Sequence, residues 1–246
     1  MDNNEVVVII AHYNYQKFLK KSITSALNQT HKNTFVCVVD DGSDDIESVK
    51  NICEDCFGGC VDFFGNTYIY ERGFLICLDQ NVGPSEARNT AINAFRSTAD
   101  FFMILDADDE MMDNKVSELL KPMILWDSVG VCYADYIIRN EEGLTRQENK
   151  TPYSLEKLKR ECIVHSGSLI RAKALYDVEN ENGFFDRNFR VCEDYQLWLR
   201  IASRYMIYHV PKYLTIVNDH RNNSTNTVSK EEWQYHWSML NSSIKG

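Results

Sequence analysis

Four uninterrupted apolar runs, at residues 6–10, 35–39, 74–78 and 101–105, decide what this chain can fold into. Continuous rather than alternating apolarity marks strands that are covered on both faces. Helical patterns lie between the runs. Phe18, Leu19, Ile23, Ala26 and Leu27 share one helical face. Ala87, Ala91, Ile92, Ala94 and Phe95 share another, behind Pro84 and Ser85 where a helix can start. Val116, Leu119, Leu120, Met123 and Ile124 keep the same period, although Pro122 predicts a kink or an end there. A further strand is expected over residues 129–136. Strand and helix in alternation imply an open, doubly wound α/β sheet. Residues 51–73 are rich in Cys and Gly and read as part helix, part insertion.

The residues just past each run matter as much as the run itself. The first run gives way to Ala11-His12-Tyr13-Asn14, the second to Asp40-Asp41-Gly42-Ser43, the third to Asp79-Gln80-Asn81-Val82-Gly83, and the fourth to Asp106-Ala107-Asp108-Asp109. All four tips are polar and turn-prone. Ligands of open α/β sheets bind outside the carboxyl ends of the strands, so four such tips point to one composite site. Side chains alternate along an extended chain, which puts Asp106 and Asp108 on the same side. Paired carboxylates of this kind suit a hard divalent cation, Mg²⁺ or Mn²⁺, that holds substrate phosphates. The competing reading is an acidic turn that caps a helix.

Composition narrows the partners. The 246 residues carry a formal charge of −10, which argues against nucleic acid and means that an anionic substrate needs a cation or local Arg and Lys. No apolar run approaches the roughly 20 residues of a membrane span. The opening Met1-Asp2-Asn3-Asn4-Glu5 lacks a signal-peptide layout, so the expected location is cytoplasmic with reduced cysteines. Cys53, Cys56 and Cys60, with Cys77 as a fourth ligand, offer a zinc alternative; ordinary thiols in a Gly-rich insertion are the preferred reading.

The segments 6–14, 38–43, 81–89, 106–109 and Glu193-Asp194-Tyr195-Gln196-Leu197-Trp198 occur in the order found in glycosyltransferase family 2, and over residues 5–220 the chain resembles that family. The resemblance implies the GT-A fold: a doubly wound, mostly parallel sheet with a Rossmann-like nucleotide-binding half, 1–110, and a smaller acceptor-binding half, 111–228, ahead of a helical tail, 229–246. It implies an inverting, metal-dependent enzyme that uses a nucleotide-sugar. By resemblance Tyr13 stacks on the base while the backbone near Ala11 meets it. Ala11-His12 stands where the family usually has Pro-Thr or Pro-Ser. Asp41 accepts from the base imide, which favours uracil or thymine, while Asp40 is read as orienting the turn. Arg88 faces the nucleotide or diphosphate, or else pairs with Glu86 or Asp79. Asp106 touches ribose or a metal-bound water, Asp108 coordinates the Mn²⁺ or Mg²⁺, and His220 is a candidate further ligand. Asp194 is the general base, with Glu193 as fallback; both also suit a helix start.

Two other function classes compete: a catalytically silent nucleotide-sugar-binding module, and a nucleotidyltransferase, which would want a Gly-rich phosphate loop at the first tip. The Gln-x-x-Arg-Trp motif of processive family members is absent, so one sugar per encounter is expected. The implied partners are a UDP-sugar or related donor and a glycan or lipid-linked acceptor, with peripheral association at the inner face of a membrane left open. Residues 164–169 and the loop before Glu193 are expected to face the acceptor. The aromatic tail, with Trp233, Tyr235, His236 and Trp237, has three open roles: to close over the acceptor site, pack on the domain, or dock on a membrane or partner. The sequons at Asn222 and Asn223 carry meaning only in a secreted protein.

Overall fold

A computed structural model describes residues 3–223 and 227–244. The sequon partners Ser224 and Thr225, and the last two residues of the tail, lie outside the described residues.

The four apolar runs are strands β1 (Val6–His12), β2 (Thr34–Asp40), β5 (Phe74–Cys77) and β6 (Phe101–Asp106). They pair in parallel in the order β5-β2-β1-β6. β1 is central and its first five residues are wholly buried. Its side chains alternate between two cores. Val7 and Ile9 join the core beneath α3 (Pro84–Ala94), α6 (Ala172–Asp177) and α7 (Glu193–Ala202). Val6, Val8 and Ile10 join the core beneath α1 (Gln16–Leu27), α2 (Ile46–Phe57) and α4 (Lys115–Leu125). Two covered faces explain why these strands read as continuous apolar runs.

The register aligns the polar tips. Ala11 lies opposite Asp106, His12 opposite Asp40, and Asp40 opposite Cys77. The anticipated composite site therefore exists as geometry: three strands end level and their loops crowd one edge.

Parallel pairing does not extend across the sheet. The part-insertion after α2 is a hairpin, β3 (Cys60–Phe64) and β4 (Thr67–Tyr70), which adds antiparallel to β5. On the other side, the short β10 (Leu169–Arg171) runs antiparallel between β6 and β8 (Val129–Asn140). Its direction brings residues 165–168 to the carboxyl end of β6, where Ile104 N donates to Ser168 O at 3.3 Å. β11 (Met206–Asp219) pairs parallel with β8 and antiparallel with β7 (Glu110–Met111); β9 (Thr145–Glu148) pairs with β8. β8 continues beyond the expected strand at 129–136 because β9 and β11 supply partners along its full length.

One helix boundary differs from expectation. α4 does not end at Pro122 but runs to Leu125. Proline so near the helix end removes one ladder bond only, and Trp126 N closes the final turn on Pro122 O at 3.0 Å. α7 begins at Glu193, the start that Glu193 and Asp194 suit, after Cys192 in the left-handed region at φ 65°. The tail forms α8 (Lys230–Ile244). It packs on the domain: Leu240 is fully buried, and Trp233 lies against the same core as α7.

Cys53 is buried in α2, Cys56 and Cys77 are half-buried, and Cys60 is exposed on β3. Burial pushes the Cys77 thiol up to about 11 and the Cys53 thiol higher. Among the described residues, no group of three or more His, Cys, Asp or Glu side chains is placed to hold a metal ion.

Candidate active site

One cleft of about 530 Å³ opens at the aligned tips. Ala11, Tyr13, Asp41, Arg88, Asp106, Asp108, Glu193 and Asp194 all line it. Of the expected site residues, His220 alone does not; it borders a smaller crevice beside Phe18, Arg139 and Asn218.

At the first two tips, His12 is buried and its Nδ1 lies 2.8 Å from Asp40 Oδ1. Its Nε2 accepts from Tyr15 N at 3.1 Å, which places the proton on Nδ1. Asp40 also accepts from Ser43 N and Ser43 Oγ. Burial opposes its charge, yet these hydrogen bonds outweigh burial and hold the carboxyl below its ordinary value. Asp40 thus closes the turn, as read from sequence. Gly42 is required there: at φ +74°, a Cβ would sit 2.5 Å from the Gln80 carbonyl carbon. The neighbouring Asp41 accepts from Val82 N at 2.8 Å and Gly83 N at 2.9 Å, and burial nonetheless raises its pKa. Its carboxylate thus fixes the third tip while facing the cleft. Tyr13, 41% exposed, stands at the cleft next to Asn14 at φ 55°.

Asp106 and Asp108 diverge. Asp106 Oδ1 accepts from Arg88 at 3.0 Å and Oδ2 from Ser166 Oγ at 2.9 Å. Burial works against ionisation of Asp106, but the Arg88 charge prevails and the carboxyl stays low. Burial, with Lys115 and Lys150 nearby, pushes the His165 imidazole down to about 3. Asp108 Oδ2 lies 3.0 Å from His220 Nε2 and accepts from Asn223 Nδ2 at 3.2 Å. His220 Nδ1 accepts from Asn222 N at 3.2 Å, so the imidazole stands behind Asp108 as a donor that orients it. The expected trio Asp106, Asp108 and His220 therefore does not converge on one point. The partners are local and different: the Arg88 guanidinium holds Asp106, and His220 Nε2 meets Asp108.

The acidic patch still suits a cation. Burial and the Asp106 charge raise Asp108, and burial with both neighbouring carboxylates raises Asp109 well above its ordinary value. A divalent ion that takes Asp108 and substrate phosphate oxygens would relieve this repulsion, and Mg²⁺ sites commonly use only one or two carboxylates plus phosphates.

Arg88 is not the open diphosphate fork that was expected, nor is it paired with Glu86 or Asp79. It is 6% exposed, and its two terminal nitrogens go to Asp106 and, at 2.6 Å, to Glu193 Oε1. Its Nε, buried, finds no hydrogen-bond partner among the described residues. Burial disfavours the guanidinium charge, but Glu193 and Asp106 overcome this and hold it firmly protonated. One cation thus joins the fourth tip to the start of α7. Among the described residues, Asp194 makes no ion pair, and the Arg88 charge acts on it at longer range. It accepts from its own helix at Tyr195 N, 2.6 Å away, while burial and the Glu193 charge raise its pKa to about 7.

Sequence reasoning missed Asn223 as a cleft residue; Ser166 falls in the segment 164–169 expected to face the acceptor, and Trp233 in the tail for which closing over that site was one of three open roles. Ser166 and Asn223 carry no motif and reach the site only through the antiparallel entry of β10 and the end of β11.

The profile of glycosyl transferase family 2 matches residues 7–179, and the chain belongs to that family. It is 29% identical over 226 residues to an uncharacterized glycosyltransferase of Rickettsia bellii, a match that covers 90% of this chain and 30% of that protein. It is 28% identical over 206 residues to the Escherichia coli UDP-Glc:alpha-D-GlcNAc-diphosphoundecaprenol beta-1,3-glucosyltransferase WfgD, covering 82% of this chain and 72% of WfgD. Its fold is shared with S. aureus TarS at a TM-score of 0.68 and 17% identity, over 96% of this chain and 39% of the TarS chain. Shorter TarS structures with UDP and with UDP-GlcNAc match at 0.66 and 0.63. The chain therefore has the GT-A architecture expected of it, while spanning under half the length of some relatives. Among the described residues no helix is long and apolar enough to cross a membrane.

Proposed function

We propose that this chain transfers a sugar from a UDP-sugar to an acceptor hydroxyl with inversion, one sugar per encounter, with Asp194 as the general base. The observation that carries the reading is that Asp108 and Asp194 line the same cleft. Tyr13, Ala11 and Asp41 form the end that suits a nucleobase, and Asp106 lies between that end and Asp194. Asp41, buried and acceptor-only when ionised, favours a base with an imide N–H. UDP and UDP-GlcNAc complexes of a fold neighbour and the UDP-Glc activity of WfgD support the same choice.

Asp108, oriented by His220, would hold Mn²⁺ or Mg²⁺ against the donor diphosphate. Bound there, the ion supplies Lewis-acid neutralisation of the leaving nucleoside diphosphate. The remaining chemistry belongs to the chain. Asp194, with its pKa near neutrality, takes the proton from the acceptor hydroxyl as its oxygen attacks the anomeric carbon on the face opposite the diphosphate. Arg88 occupies Glu193, so the two adjacent carboxylates do not compete for that proton. The lipid-linked acceptor of WfgD makes a lipid-linked sugar the leading acceptor class, met at the cytoplasmic face of a membrane.

The test is turnover with a panel of UDP-sugars, Mn²⁺ and glycoside or lipid-linked acceptors, read as UDP release. UDP release that depends on acceptor supports the reading. Donor binding with no turnover across the panel would favour a silent binding module.

A further inference from the structure

We propose that Trp233 is the platform for the acceptor's sugar ring, so that the acceptor subsite takes a pyranoside through its apolar C–H face. The inference rests on the transferase reading above and assigns the acceptor side of the same cleft.

Trp233 lines the cleft that contains Asp194, yet it comes from α8, beyond the residues 7–179 that the family profile matches. The other aromatic rings of the cleft wall sit elsewhere: His12, Tyr13 and Tyr15 at the first tip, His165 beside the Asp106–Ser166 pair. Trp233 is thus the one aromatic that the described tail brings to the chemistry. Its indole is half-buried, packed on the α7 core by part of its surface and open to the cleft by the rest.

The placement of α8 is tied to Asp194. Arg190 pairs with Glu232 at 3.4 Å, the Phe189 and His236 rings stand 5.7 Å apart, and the Tyr195 and Trp237 rings 5.5 Å apart. These anchors bracket Glu193 and Asp194 in sequence. The helix that carries Trp233 is therefore clamped to the segment that carries the base. A structural plug would need no such registration.

The chemistry fits a sugar. An indole face carries partial negative charge and attracts the partially positive C–H groups of a pyranose face. A ring laid flat on indole leaves its hydroxyls directed sideways, where a neighbouring carboxylate can take a proton from one of them.

The test uses the full chain loaded with UDP and Mn²⁺, probed with the methyl β-pyranosides of glucose, galactose and N-acetylglucosamine by saturation-transfer NMR. A thermal shift with UDP reports the donor site separately. The expected result is that ring C–H protons of at least one pyranoside receive the strongest transfer, that Trp233→Phe retains binding, and that Trp233→Ala weakens it about tenfold with the UDP shift unchanged. Should Trp233→Ala not fold, the ¹⁹F resonance of 5-fluorotryptophan at Trp233 in the otherwise native chain is read instead, and it should move on adding pyranoside. Equal binding by Trp233→Ala, an unmoved ¹⁹F resonance, or no pyranoside binding to a protein that does bind UDP overturns the platform. Failure to bind UDP overturns the donor reading itself, and the platform with it.

Discussion

Arg88 donates to Glu193 Oε1 at 2.6 Å, and this bond divides the labour between two adjacent carboxylates. Glu193 is held by a buried cation. Asp194, one residue on, faces the cleft with the Arg88 charge at longer range and one backbone N–H to steady its own. Two acidic residues at a helix start look equivalent in sequence, and the partner of each is what separates a structural carboxylate from a reactive one.

The pH dependence is set by Asp194. Burial and the Glu193 charge raise its pKa to about 7. A base must be deprotonated, so kcat should fall about tenfold per pH unit below that value and level off above it. The stability effect has the opposite sign. The folded state keeps a proton that the unfolded chain, at 3.8, gives up, so stability declines as pH rises from about 4 to 7. Asp194→Asn should then raise Tm at pH 8 by on the order of a few degrees. Calorimetry checks this, and a lower Tm would contradict the burial argument.

Arg88→Met should be among the most damaging single changes. It leaves the half-buried Asp106 and Glu193 carboxylates without their shared cation, at a cost on the order of 3 kcal/mol. Urea unfolding measures it. Arg88→Lys, a point charge without the fork, should recover part of the loss and no more.

Metal dependence should show in donor binding before it shows in turnover. With EDTA in place of Mn²⁺, the UDP-induced thermal shift should shrink. Asp108→Asn should abolish the difference between the two conditions. His220→Ala, which removes the group that orients Asp108, should weaken the Mn²⁺ effect about tenfold or more.

Gly42→Ala should injure the base pocket at a distance. The left-handed backbone at φ +74° costs an alanine about 1–2 kcal/mol, and its Cβ would meet the Gln80 carbonyl carbon at 2.5 Å. Residues 80–81 must retreat, which carries the Val82 and Gly83 amides away from Asp41. Lower stability with weaker UDP binding is expected in titrations.

Much of this was legible before any coordinates, for physical reasons. Strands buried on both faces announce themselves as apolar runs, and β1, β2, β5 and β6 fell where the runs were. The tips were legible because a strand that leaves a core into polar, turn-forming residues has few other uses. Contacts across the chain were not. Arg88 lies 105 residues from Glu193, and Asp108 lies 112 from His220, so no local pattern could pair them. The same holds for Ser166, delivered to Asp106 by an antiparallel strand of three residues that carries no periodic signal. Pro122 misled because its effect depends on how much helix lies beyond it, and here one turn did.

The central claim is that donor binding and acceptor deprotonation belong to different carboxylates in one cleft. The most direct measurement sets Asp194→Asn beside the native chain, with UDP binding read by thermal shift and UDP release read in the presence of a UDP-sugar and acceptor. The account predicts an undiminished UDP shift with release slowed by roughly 10²–10⁴-fold. Release at the native rate from that variant would contradict it.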